Sequence, residues 1–139
     1  MSIWRTDKGV DELQLFALNT LIDHLGIKIS EIGPDYIRAS IPVDCRTHQP
    51  MGLLHGGASV VLAETLGSVA AQLAAEPGHK CVGLEINANH LAGIRTGYVY
   101  GTASPVHIGR STQVWDICIV DEKENAICVS RLTVAVLGA

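Results

Sequence analysis

Glu64 is the residue whose setting most needs a chemical explanation. It stands in Ala58–Ala75, a run that is apolar almost throughout, and no Lys or Arg occurs between it and Lys80. An ionised carboxylate among aliphatic side chains is costly unless paired or hydrogen-bonded, so packing alone would favour an apolar residue. A carboxylate placed there can act as a nucleophile or as a general base on water. On composition alone, a buried Glu paired with a distant Arg or His has an equal claim. Ser68 follows one helical turn later on the same face. Its hydroxyl can hold a water, although a Ser in a buried helix more often bonds back to the preceding turn.

Ahead of this run stands Gln49-Pro50-Met51-Gly52-Leu53-Leu54-His55-Gly56-Gly57. Pro50, Gly52 and the Gly56-Gly57 pair mark an irregular lead-in. A helix N-terminus offers unpaired N–H groups and the positive end of the helix dipole. Gly56, lacking a side chain, allows a carbonyl oxygen to come close to its N–H. Tight helix packing is the bland reading of the two glycines, and both readings can hold together. Gln49 by itself reads as a solvated loop residue, and His55 as a histidine hydrogen-bonded at the helix entrance.

These groups must be held by regular elements. The run from Ala58 has no polar face, which predicts a buried helix stopped by Glu76-Pro77-Gly78. Asp11 to Leu25 has helical periodicity and predicts a half-buried cover helix ending at Gly26. Residues 27–32 and 36–43 alternate apolar and polar and predict a hairpin around Gly33-Pro34-Asp35. After the long helix, strands are predicted over 81–90, 98–103, 111–120 and 126–137, the last four pairing as an antiparallel meander. A helix apolar on every side needs a curved sheet wrapped around it, an α+β arrangement. Edge strands of such a sheet are usually covered, which predicts a homodimer with continuous sheet pairing.

The 139 residues suit one domain spanning 1–139 with a core of its own. Hydrophobic residues make up 47% and charged ones 17%, a globular balance rather than a disordered one. A formal net charge of -4 and the lack of any basic run argue against nucleic acid as partner. The first residues lack the apolar core of a signal peptide. Glu64, Gly67 and Ser68 make the apolar run a poor membrane span. Cys45, Cys81, Cys118 and Cys128 show no metal-type spacing and read as reduced, mostly buried thiols of a cytoplasmic protein. No metal and no cofactor are expected.

The element order, with His55-Gly56-Gly57 opening the central helix and Glu64 within it, resembles the hotdog-fold thioesterases. Within them it is most similar to the branch that hydrolyses aromatic acyl-CoA thioesters, with relatives in menaquinone and enterobactin biosynthesis. The matching segments are Pro42-Val43-Asp44 through Arg46-Thr47, Gln49-Pro50, Gly52 through Ser59, Leu62-Ala63-Glu64, Val82 through His90, and His107-Ile108-Gly109-Arg110. Relatives commonly show Arg-Pro just after the residue matching His90; this chain has Leu91-Ala92, with Arg95 as a replacement charge farther along.

The resemblance implies thioester hydrolysis. Gly56 N–H acts as the oxyanion donor, the Gln49 amide binds or orients the thioester, and His55 orients its neighbours. Glu64 is the nucleophile or general base and Ser68 the water holder. Since a helix rises ~1.5 Å per residue, one subunit can hardly bring Gln49, His55 and Glu64 onto one carbonyl. The family shares its site across a dimer interface, which implies two sites per homodimer and a homotetramer of two dimers. His90, Arg95, His107, Gly109 and Arg110 are implied to meet the CoA nucleotide and phosphates, and Leu54 and Val69 to line the acyl pocket. CoA is then part of the substrate. The first expected substrate is 1,4-dihydroxy-2-naphthoyl-CoA of menaquinone biosynthesis. The alternatives are a proofreading enzyme for aryl groups misloaded on a carrier protein, or a non-catalytic acyl-CoA binder. A dehydratase or hydratase is a further class, but its acid–base motif is not apparent.

Overall fold

The computed structural model describes residues 1–138. In chain order they form α1 (Val10–Phe16), α2 (Leu21–His24), β1 (Lys28–Ile32), β2 (Ile37–Val43), α3 (Gly56–Ala74), β3 (Lys80–His90), β4 (Gly97–Ile108), β5 (Thr112–Val120) and β6 (Ala126–Leu137). The strands make one antiparallel six-stranded sheet in the order β1-β2-β4-β5-β6-β3. Helix α3 lies across its concave face, the α+β hotdog arrangement. Leu62, Leu66, Ala70 and Leu73 of the helix are buried with Ile41, Val99, Ile117, Ile119, Leu132 and Val134 of the strands.

Glycine sets how closely helix and sheet meet. A Cβ on Gly101 of β4 would come 2.7 Å from Leu66 Cδ1, so the strand presents bare backbone to the helix there. At one end of the core Trp4 stacks on the fully buried Trp115, ring centroids 6.1 Å apart. The Trp115 indole N–H donates to Gln113 Oε1 at 2.8 Å, and the Gln113 amide donates to Ala71 O of α3 at 3.3 Å. A buried glutamine thus satisfies a buried indole and ties β5 to the helix.

Five expectations are corrected. The cysteines are not mostly buried: Cys128 is, but Cys45 and Cys118 are exposed, since they lie on a polar loop and on the outer face of β5. The helix predicted over 11–25 is two, broken where Asn19 takes a left-handed φ of 62°. The strand predicted to stop at Ala103 runs on to Ile108; Pro105 is tolerated because the register with β5 shifts between Pro105 and His107, so its missing N–H breaks no regular ladder. The last four strands are not a simple meander, since β3 pairs with β6 and leaves β4 to pair with β2. Finally, the sheet does not surround α3: Val60, Val61, Glu64, Thr65, Ser68 and Val69 form a half-buried flank. By length and composition alone α3 could pass for a membrane span, but more than half of it is buried inside the fold.

Candidate active site

The loop between β2 and α3 is pinned before it reaches Gln49. The buried Thr47 hydroxyl donates to Pro42 O at 2.7 Å and accepts from Asp44 N at 3.2 Å. Arg46 forks onto Asp44, and that guanidinium holds the Asp44 carboxyl below the usual carboxylate range. His55 N donates to Thr47 O at 2.7 Å, and Leu54 N to Ile94 O at 2.8 Å. Arg95, expected at a phosphate, instead donates to Met51 O at 3.0 Å, while its own carbonyl oxygen lies 2.7 Å from His48 Nε2. It braces the loop.

On this frame the Gln49 side-chain oxygen accepts from Met51 N and, at 3.5 Å, from Leu53 N. Two backbone donors fix the oxygen, so the Gln49 NH₂ is the end left to donate to a ligand. His55 caps α3, its Nδ1 accepting from Gly57 N at 2.8 Å. That bond requires Nδ1 without a proton and places the ring proton of the neutral form on Nε2. Ala58 N donates to His55 O at 2.9 Å. Of the first amides of the helix, Gly56 N–H therefore remains without an acceptor among the described residues, the state needed of an oxyanion donor.

Gln49, Leu54, Gly56, Ser59, His90 and Ile127 line a cavity of about 400 Å³ at this end of the helix. The His90 ring packs on Gly56, where an added Cβ would come 2.8 Å from Nε2. A larger cavity of about 540 Å³ lies under the N-terminal helices, lined by Leu13, Phe16, Ala17 and Ile22 and by Thr65 and Val69 of α3. Leu54 and Val69, expected in one acyl pocket, thus belong to two cavities. Sequence reasoning missed Ser59, a buried residue three positions after Gly56 on the same face, and that spacing was the available signal. The part played by Leu13 and Phe16 had no signal beyond amphipathic periodicity, because it depends on where the short helices pack.

Glu64 lies on the half-buried flank, ~12 Å along the helix axis from Gly56, and lines neither the Gln49 cavity nor the larger one. Its carboxylate rests against Gly83 of the edge strand, where a Cβ would come 2.5 Å from Oε2. Among the described residues it has no ion-pair partner, so the reading as a buried structural pair falls away. Ser68 stands one turn on, on the same flank. The group expected at the nucleotide divides. His90 and Arg95 lie at the Gln49 end, whereas Arg110 and Gly109 line a cavity with Trp4, Arg5 and Ala74 at the opposite end of α3, next to His107. One chain therefore presents two half-sites: donors at the helix N-terminus and a carboxylate at its middle.

A family model described as the thioesterase superfamily matches residues 51–128, the segment that holds Gly56 and Glu64. The chain belongs to this superfamily. The proofreading thioesterase EntH of Cronobacter turicensis is 47% identical over 136 residues, 98% of this chain and 99% of the relative. A solved thioesterase from Haemophilus influenzae is 48% identical with a TM-score of 0.96, covering 98% of this chain and 95% of that one. The Q49A variant of a Pseudomonas aeruginosa thioesterase is 47% identical with a TM-score of 0.97, covering 99% and 100%. The protein is thus a thioester hydrolase. For a thioesterase the half-sites are chemically complementary: a carbonyl needs donors at its oxygen and a carboxylate, or a water activated by one, at its carbon.

Proposed function

We propose that this thioesterase removes aromatic acyl groups from a phosphopantetheine arm, chiefly that of a carrier protein, and so acts in proofreading. The observation that carries this reading is the near end-to-end likeness to a proofreading thioesterase. Two features support it. The apolar cavity of about 540 Å³ beside Thr65 and Val69 is of a size that holds an aryl group. The Arg95 guanidinium is spent on Met51 O of the loop, and this favours recognition of the arm, which CoA and carrier proteins share, over recognition of a nucleotide. The naphthoyl-CoA substrate expected from the sequence gains no support from the relatives and becomes one member of the test panel.

The site is completed in a homodimer. Gly56 N–H and the Gln49 NH₂ of one protomer polarise the thioester carbonyl, and the partner subunit's Glu64 faces its carbon. Glu64 either attacks, releasing the thiol and leaving a mixed anhydride for water to cleave, or takes a proton from a water held by Ser68. Assembly of two such dimers into a tetramer, in the cytoplasm, completes the proposal.

The test is release of free thiol from benzoyl and hydroxybenzoyl groups carried on a holo carrier protein and on CoA, with 1,4-dihydroxy-2-naphthoyl-CoA alongside. Faster turnover of the carrier-bound aryl groups, abolished in a folded Glu64→Gln variant, is expected. A preference for the naphthoyl-CoA would restore the menaquinone reading, and equal turnover by the variant would remove Glu64 from the mechanism.

A further inference from the structure

Four polar groups line the cavity at the start of α3: the Gln49 amide, the Gly56 N–H, the Ser59 hydroxyl and the His90 ring. Hydrolysis through this cavity must expel an alkyl thiolate from the pantetheine arm. An alkyl thiol has a pKa of ~8.5, so the departing sulfur is a poor leaving group at neutral pH unless it receives a proton. Amide N–H groups and a serine hydroxyl hold their protons too tightly to supply one. Imidazole is the side chain that exchanges a proton in the neutral range. His55 has its Nδ1 committed to the helix cap. His48 and His79 have ring nitrogens bound to backbone oxygens. Neither ring nitrogen of His90 has a hydrogen-bond partner among the described residues, and its Nε2 edge lies against Gly56. Its cross-strand neighbour Cys128 is fully buried, and burial pushes that thiol up, so no thiolate stands beside the ring to engage it.

We infer that His90 is a catalytic residue, the acid that protonates the departing sulfur. This rests on the thioesterase reading of the Gln49–Gly56 cavity. It also reassigns His90 from the nucleotide, where the family resemblance placed it. In the step, the tetrahedral adduct collapses, the C–S bond breaks with its electron pair going to sulfur, and the proton on Nε2 of the imidazolium passes to sulfur. The carbonyl re-forms, so the products are the acyl group as its Glu64 anhydride or free acid, a free thiol and a neutral imidazole, which regains its proton from solvent.

The test compares two benzoyl thioesters that differ only in the thiol: one of pantetheine and one of thiophenol, whose thiolate departs without a proton. For His90→Gln, kcat on the pantetheine ester is expected to fall ~100-fold and kcat on the thiophenyl ester to change less than about threefold. The thiophenyl rate also reports that the variant is folded. Equal losses on both esters, or no loss on either, would overturn the assignment while leaving the thioesterase reading intact. Should the variant not fold, the native protein answers: a solvent deuterium isotope effect is expected with the pantetheine ester and none with the thiophenyl ester, and equal effects would overturn the proposal. A native protein that cleaves neither ester would overturn the reading of the cavity and the role of His90 together.

Discussion

The two ends of the Gln49 carboxamide do different jobs, and this makes its role separable. The oxygen accepts Met51 N–H and Leu53 N–H and shapes the loop; the NH₂ has no acceptor among the described residues, and Gln49 lines the cavity that Gly56 and His90 share. Gln49→Glu keeps two oxygens for the loop and removes the donor. We expect kcat to fall ~100-fold, the usual scale for one oxyanion donor, with the melting temperature close to native; an unchanged kcat would deny Gln49 that role. His55 divides oppositely. Its Nδ1 caps α3, so His55→Ala should cost about 1 kcal/mol in urea unfolding and His55→Asn should recover most of it. If both variants are equally unstable, the cap is not what His55 contributes.

At the scale of elements, the closeness of helix and sheet governs both stability and the position of Glu64. Gly101 leaves no room against Leu66, so Gly101→Val should destabilise the fold by about 1–3 kcal/mol through overpacking. Gly83, exposed on the edge strand, faces the half-buried flank of α3, and the place of its missing side chain is taken by the Glu64 carboxylate. Gly83→Ala should therefore reduce kcat more than it changes the unfolding midpoint. A variant with native kcat would show that Glu64 works in another position. The contrast follows from what each glycine faces: packed leucine at Gly101, a movable carboxylate at Gly83.

The whole molecule decides whether the half-sites meet. Strand β3 ends the sheet with eleven residues whose outer edge has no strand beside it among the described residues, and Val82 and Leu84 are exposed along it. Long, apolar edges are normally paired. If the dimer shares its sites, Gln49→Ala and Glu64→Ala protomers are each inactive alone. Mixed and re-equilibrated in equal amounts, they should recover about a quarter of native activity, because half the dimers are mixed and each holds one intact site. No recovery, with subunit exchange shown by mass spectrometry, would place the whole site in one protomer.

Much of this was written in residue types. Glu64 in an apolar run, the glycines that open it and the alternation of the strands are local patterns that geometry must respect, and they located α3 and, closely, five of the six strands. The hairpin of β1 and β2 was legible because Gly33-Pro34 punctuates it; the break at Asn19 was not, since a non-glycine residue in the left-handed region leaves no reliable mark. Pro105 misled because proline usually ends a strand, and only the register shift against β5 shows how it is accommodated. The pairing of β3 with β6, the resting of Glu64 on Gly83, the packing of His90 on Gly56 and the parting of His90 from Arg110 are all contacts between segments distant in sequence. Side-chain chemistry is carried by the residue itself and can be read locally, whereas proximity is settled by which surfaces bury one another, and only the tertiary structure decides that.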